Sequence, residues 1–99
     1  MLVLVSHEGR SSGRSYRAPV IALVGETKVI IPLTYGDRAD WVKNVLHTGR
    51  AAIRHNRQTI RAVHPRIVGS DQAMPEFPLP IQFAMRRVGM KSFMVLDTE

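Results

Sequence analysis

The sequence predicts a mainly β protein, a small antiparallel barrel of about six short strands with two short helices at its ends. Short apolar runs with period-two alternation recur along the chain, punctuated by Gly, Pro and Asn turn signals. Only the stretches near 40–47 and 81–88 carry helical spacing. At 99 residues the chain is the size of one core, so it reads as a single domain spanning 1–99.

Leu2 to Ser6 is the first strand. A loop, Gly9-Arg10-Ser11-Ser12-Gly13-Arg14, follows it and leads to Tyr16–Val24, in which Ala18, Val20, Ala22 and Val24 share a face and Pro19 marks an edge or bulge. Gly25-Glu26-Thr27 turns the chain into the β-branched run Lys28–Leu33, whose expected neighbour is the preceding strand. Pro32 ends that pairing and opens the turn Thr34-Tyr35-Gly36-Asp37. Asp40 is expected to cap a helix over Asp40–His47, with Trp41, Val42, Val45 and Leu46 on one stripe and Gly49 as its left-handed stop. Arg50–Arg54 and Gln58–Val63 form a hairpin across His55-Asn56-Arg57; Ala51, Ile53, Ile60 and Ala62 make its apolar face, and Arg50, Arg54, Thr59 and Arg61 its wet one. His64-Pro65 interrupts the pattern. Asp71–Pro80 reads as a loop or lid, Ile81–Val88 as a helix stopped by Gly89, and Lys91–Leu96 as the last strand.

Composition narrows the function. The formal net charge is +6, and of fourteen basic residues eleven are Arg. Guanidinium groups recognise phosphates and carboxylates in a planar, bidentate way, so the surplus points to an anionic partner, and equally fits a genome that favours Arg codons. There is no cysteine, which removes disulfide and thiolate chemistry. No apolar run is long enough to span a bilayer and Met1–Val5 makes a poor signal peptide, so cytoplasmic residence is the default expectation. Gly9-Arg10-Ser11-Ser12-Gly13 has the letters of Gly-x-Ser-x-Gly, but it joins two expected strands where a nucleophile elbow needs a strand-to-helix turn, so it is not read as one. No metal-ligand spacing is present, and His7, His47, His55 and His64 read as scattered surface residues. Asp37 and Asp40 fall where a turn and a helix cap use them.

The pattern that remains is a binding one. The loop Gly9–Arg14 joins glycines that let the backbone approach a ligand to hydroxyl and guanidinium donors suited to anion oxygens, although the same residues also make an ordinary solvated hairpin loop. If strand ends meet in a small barrel, Tyr35 and Trp41 flank a planar ring while Arg10, Ser11, Ser12 and Arg14 hold an anionic tail.

In order, Gly9-Arg10-Ser11-Ser12-Gly13, Pro19-Val20, Val29-Ile30-Ile31-Pro32-Leu33-Thr34-Tyr35-Gly36 and Trp41-Val42-Lys43-Asn44-Val45-Leu46 resemble the deazaflavin-dependent nitroreductase family of actinobacteria. The resemblance implies a split β-barrel of the flavin-reductase type that binds coenzyme F420, with FMN as the alternative flavin. It also implies hydride transfer from C5 of the reduced deazaflavin to an electron-poor small molecule of the nitroaromatic, quinone or enone type. By position, Arg10, Ser11 and Ser12 match the phosphate grip, and Gly13 and Arg14 of the same loop are counted to the cofactor site. Pro32, Leu33, Thr34 and Tyr35 match the segment beside the deazaflavin, and Trp41 and Asn44 the helix that contacts it. Arg50, Arg54 and Arg61 are placed by charge alone to steer the acidic tail. No residue is assigned to proton delivery. Ser11 stands where the family has Lys, which removes one cation from the grip, with Arg14 or Arg17 as the candidates to compensate. The competing reading is a non-catalytic barrel that binds nucleic acid or an anionic lipid. No specific nucleic-acid contact is expected, and a homodimer is expected to cover the apolar flank of a small barrel.

Overall fold

The computed structural model describes residues 2–33 and 38–99. Its strands are β1 (Leu2–Glu8), β2 (Ser15–Ile21), β3 (Leu23–Val24), β4 (Lys28–Pro32), β5 (Arg50–His55), β6 (Gln58–Gly69) and β7 (Ser92–Thr98). Its helices are α1 (Asp40–Thr48), α2 (Ser70–Ala73) and α3 (Leu79–Arg87), with a 3₁₀ turn over Met74–Glu76. Among the described residues there are seven strands and three short helices, in keeping with the mainly β barrel of about six strands and two helices expected.

All strand pairs are antiparallel, in the order β2-β1-β5-β6-β7-β4-β3. The two ends of that order, β2 and β3, belong to one stretch of chain interrupted only at the buried Ala22. One bent segment therefore pairs with β1 along its first part and with β4 along its second, which rolls the sheet back on itself as a half-barrel.

That bend corrects the first expected hairpin. Tyr16–Val24 does not run along Lys28–Leu33; their pairing is confined to Leu23 with Ile30 and Val24 with Val29. The long pairing of β2 is with β1, from Leu2–Ile21 to Glu8–Ser15, and the main partner of β4 is β7. Pro19 sits on the sheet's edge strand, where a missing N–H costs no ladder bond.

The second hairpin forms as expected. His55 pairs with Gln58, and Asn56 and Arg57 both take positive φ, 48° and 64°, the twist of a two-residue type I′ turn. Nor does His64-Pro65 break the strand. The chain continues through a bulge between Val63 and Arg66, with His64 at φ 57°, and pairing to β7 resumes at Arg66. Across the bulge Arg66 donates to Asp97 at 3.0 Å, and His64 Nδ1 lies 3.4 Å from the same carboxylate. The Arg66 hydrogen bond, first among the causes, holds Asp97 below the usual carboxylate range.

The inward side chains Val3, Val5, Val29, Ile31, Ile53, Ala62, Met94 and Leu96 fill the barrel, and Val42 and Val45 of α1 close it. A second apolar cluster lies on the other face of β4 and β7, where Ile30, Phe93 and Val95 are covered by Ala73, Met74, Phe77 and Met85. The uninterrupted runs Val29–Ile31 and Phe93–Leu96 are buried on both faces, hence their lack of alternation. Asp71–Pro80 is thus packed structure built from α2 and the 3₁₀ turn, in place of the loop or lid expected. α3 starts two residues before the predicted Ile81, because Pro80 fits the first turn of a helix, and Gly89 ends it at φ 75°.

Candidate functional site

The loop Gly9–Arg14 closes on itself: Gly9 N–H donates to Arg14 O at 2.8 Å and Gly13 N–H to Gly9 O at 2.9 Å, with Gly13 at φ 70°. A Cβ at Gly9 would stand 2.6 Å from Ser12 Oγ and 3.1 Å from Tyr16 Cε2, so a side chain there would have to turn the Ser12 hydroxyl aside and press on Tyr16. Facing it is the start of α1. Ala39 occupies the cap with no side-chain cap bond, and Asp40 is the first helical residue. This corrects the expected cap: the carboxylate of Asp40 lies 3.5 Å from Arg10 Nη2 instead. Gly49 stops α1 as expected, at φ 77° with its N–H on Val45 O.

Asn44 ties the two elements together. It is 4% exposed, and its Oδ1 accepts from both Arg10 N (3.1 Å) and Arg10 Nη1 (2.7 Å). Its Nδ2 lies 3.1 Å from Nδ1 of His7. Because Oδ1 already receives two donors, the amide orientation is set and Nδ2 must donate. Nδ1 of His7 is then the acceptor, and the ring of this neutral histidine carries its proton on Nε2. Burial lowers the His7 pKa, in agreement with a neutral ring. The imidazole stacks on Tyr16, its cross-strand partner, with centroids 5.7 Å apart and planes 23° apart.

These groups enclose a cavity of about 520 Å³ lined by His7, Gly9, Arg10, Ser11, Ser12, Tyr16, Arg17, Asp40, Trp41 and Asn44. It holds two guanidinium groups, two serine hydroxyls, one carboxylate and three aromatic rings, counting imidazole. Such a set has the chemistry to take an oxygen-rich anion and a flat ring.

Of the residues singled out from sequence, Arg10, Ser11, Ser12, Trp41 and Asn44 line this cavity. Gly13 and Arg14 belong to the same loop, with Arg14 N–H on Ser12 Oγ at 3.3 Å, but lie outside the lining. Pro32 pairs with Phe93 and Leu33 packs into the barrel core, and neither is in the lining. Thr34, Tyr35 and Asp37 lie outside the described residues. No residue of the α2–α3 segment, expected as a lid, lines the cavity.

Sequence reasoning missed His7 and Tyr16, while Arg17, named as a stand-in for the missing Lys, does line the cavity. The reading of all four histidines as surface residues fails at His7, which is 8% exposed. A signal was available: His7 continues the inward positions Val3 and Val5, and a polar residue on a core face needs a partner. His7 also lines a second cavity, again about 520 Å³, with Ser6, Glu8, Arg50, Ala52 and Arg61. Among the described residues no cluster of metal-ligating side chains occurs, and no helix is long and apolar enough to cross a membrane.

No protein-family model and no curated protein matches this sequence. Solved structures do match the fold. One, described as a domain-swapped dimer, superposes with a TM-score of 0.72 at 11% identity, covering 96% of this chain and 78% of its own. The F420-H2 dependent reductase FDR-A gives 0.66 at 14% identity, covering 96% and 92%. A structure described as an F420 reductase gives 0.69 at 9% identity, covering 100% and 86%. The chain has the split β-barrel fold that these F420 reductases share.

Proposed function

We propose that this chain is a coenzyme F420-dependent oxidoreductase. The observation that carries the reading is the cavity between the Gly9–Ser12 loop and α1, which joins anion donors to aromatic rings at one site of a barrel shared with F420 reductases. The donors fit the group: Arg10, Ser11, Ser12 and Arg17 suit a phosphate, and Tyr16 and Trp41 suit a flat ring. When bound, reduced F420 supplies a hydride from C5 to an electron-poor acceptor, which we place in the nitroaromatic, quinone or enone class. The protein's part is position and electrostatics: Asn44 holds Arg10, and the tight turn at Gly9 lets the loop backbone come close to the ligand.

From Arg17 of the cavity lining on β2, Ser6, Ala52 and Arg61 follow one another across β1, β5 and β6, with the exposed Arg50 and Arg54 beside them. This basic stripe is suited to the acidic tail of the cofactor. The same stripe favours the second reading, a barrel that binds a polyanion without catalysis. Two copies are proposed to pair, with the exposed Leu79 and Phe83 of α3 available for cover.

Trp41 is the single tryptophan and lines the cavity, so its fluorescence reports binding. Titration with F420 should give a saturable change, followed by reduction of a nitroaromatic or quinone by the reduced cofactor. No response at tens of micromolar F420, with steeply salt-dependent DNA binding, would replace this reading with the polyanion one. A yellow protein on purification would point to FMN, and light scattering measures the dimer.

A further inference from the structure

We propose that His7 is the positioning residue of the anion site: through Asn44 it fixes Arg10, and protonation of its imidazole releases that hold, so anion binding weakens in acid. The proposal rests on the reading of the cavity as an anion site, and goes beyond it by naming what sets the grip.

The argument is one of donor and acceptor count. Asn44 has one acceptor and one donor group, and both are committed: Oδ1 to two Arg10 donors, Nδ2 to His7 Nδ1. A proton on Nδ1 would set N–H against N–H across 3.1 Å. Rotating the amide does not rescue the contact, because its NH₂ would then face the backbone N–H and Nη1 of Arg10. Either His7 parts from Asn44, or Asn44 parts from Arg10. In the second case the loop itself moves, since one of the lost bonds is to the Arg10 backbone.

The surroundings resist the proton until the solution is acidic. Glu8 is next in the strand, and Tyr16 stacks on the ring from β2. The loop and α1 contribute Arg10 and Asp40, and β2 adds Arg17. On the other side lie Arg50 of β5, paired with Glu8 at 3.8 Å, Arg61 of β6, and Glu99. Four guanidinium groups thus stand against three carboxylates around a ring that is 8% exposed.

The test has two arms, both on the full chain. Without ligand, ¹⁵N spectra from about pH 8 to about pH 5 follow the His7 ring, the Asn44 side-chain amide and the Arg10 backbone amide. The expected result is an Nε2–H ring at neutral pH, with both amides moving as His7 titrates. An Nδ1–H ring, or an Arg10 amide that stays fixed while His7 titrates, overturns the proposal. In the second arm F420 is titrated at about pH 7.5 and about pH 5.5. Wild type should lose about tenfold in affinity in acid; His7→Asn, which keeps an uncharged acceptor near the place of Nδ1 but gives up the stack on Tyr16, should bind more weakly than wild type at the higher pH and show that same affinity at the lower one. His7→Phe, which keeps the stack on Tyr16 and loses the acceptor, should bind about tenfold more weakly at both. A His7→Asn protein that retains the wild-type pH dependence also overturns it. A protein that ignores F420 at every pH, while its Arg10 amide still follows His7, leaves the link standing and refutes the cofactor reading alone.

Discussion

Helices α1 and α3 are each nine residues long and lie against the same sheet, yet the two are held by different forces. α3 reaches the sheet through Met85, inside a cluster built on Phe77, Phe93 and Met74, and leaves Leu79, Ile81 and Phe83 exposed. α1 also buries apolar groups, Val42 and Val45, but between them Asn44 is buried and bonded to residues 34 and 37 positions away. Burying an amide is costly unless every donor and acceptor is matched, whereas apolar burial tolerates loose partners. Apolar burial stabilises both sides; the α1 side alone adds a buried, matched amide that fixes geometry, and in that sense it is the polar side and the α3 side the apolar one. The cavity lies on the polar side.

The largest effect should come from the apolar side. Phe93 is fully buried between the sheet and the 3₁₀ turn, with its ring 5.9 Å from that of Phe77. Phe93→Ala should cost about 3–5 kcal/mol in chemical denaturation. At temperatures where the variant stays folded, its F420 affinity should remain within about twofold of wild type, a small change beside the stability loss. Loss of binding in the folded variant would show that the two sides are coupled after all.

The next effect falls on the polar side and reverses the pattern. Asn44→Leu keeps the branched shape but leaves Nδ1 of His7 and the Arg10 donors without their partner. Stability should fall by about 1–3 kcal/mol, while F420 binding should weaken about tenfold. A variant that binds normally would show that Arg10 needs no tether.

The two sides of the sheet also differ in how acid acts on them. His7 is depressed by burial, so the unfolded chain takes up its proton near the ordinary 6.5 while the folded chain does not. Stability from this group is complete above about pH 6.5 and is lost as pH falls through that value toward the lower folded pKa. Asp97, also depressed but exposed and paired with Arg66, keeps its contribution until pH falls below the ordinary carboxylate value, 3.8, and toward its folded pKa. Denaturant midpoints measured from neutrality to about pH 5 should therefore drop in wild type and stay level in His7→Asn. A level wild-type curve would remove His7 as the source.

The sequence was legible where one local signal decided the outcome. Asn56 took the positive φ of its turn, Gly49 and Gly89 stopped their helices, and Ala51, Ile53, Ile60 and Ala62 faced inward. It misled where a residue serves two partners at once. Ala22 lets one strand join both ends of the sheet, and nothing local to Ser15–Val24 says that its second half will leave β1. Phe77 and Met74 looked like parts of a lid because three prolines surround them, but the outer face of β4 and β7 was itself apolar and needed cover. At the candidate site, Arg10 and Asn44 were visible as motif residues. Their bond, spanning 34 positions, was not, and neither was the role of His7, since the acceptor it offers has meaning only beside Asn44.

The smallest expected effect separates the two duties of one residue. Asp40 sits in the first turn of α1, where a negative charge favours the helix by about 0.3–1 kcal/mol. It also lies 3.5 Å from Arg10 Nη2 with its side chain 86% exposed, an ion pair that solvent weakens. An anion entering the cavity competes with Asp40 for that guanidinium edge. Asp40→Asn should therefore lower stability by a few tenths of a kcal/mol and tighten F420 binding about two- to threefold, with the gain shrinking as salt is added. Stability and affinity move in opposite directions only if Arg10 is the group that meets the anion. A variant that loses both would leave Asp40 as a helix residue alone and shift the anion toward Arg17.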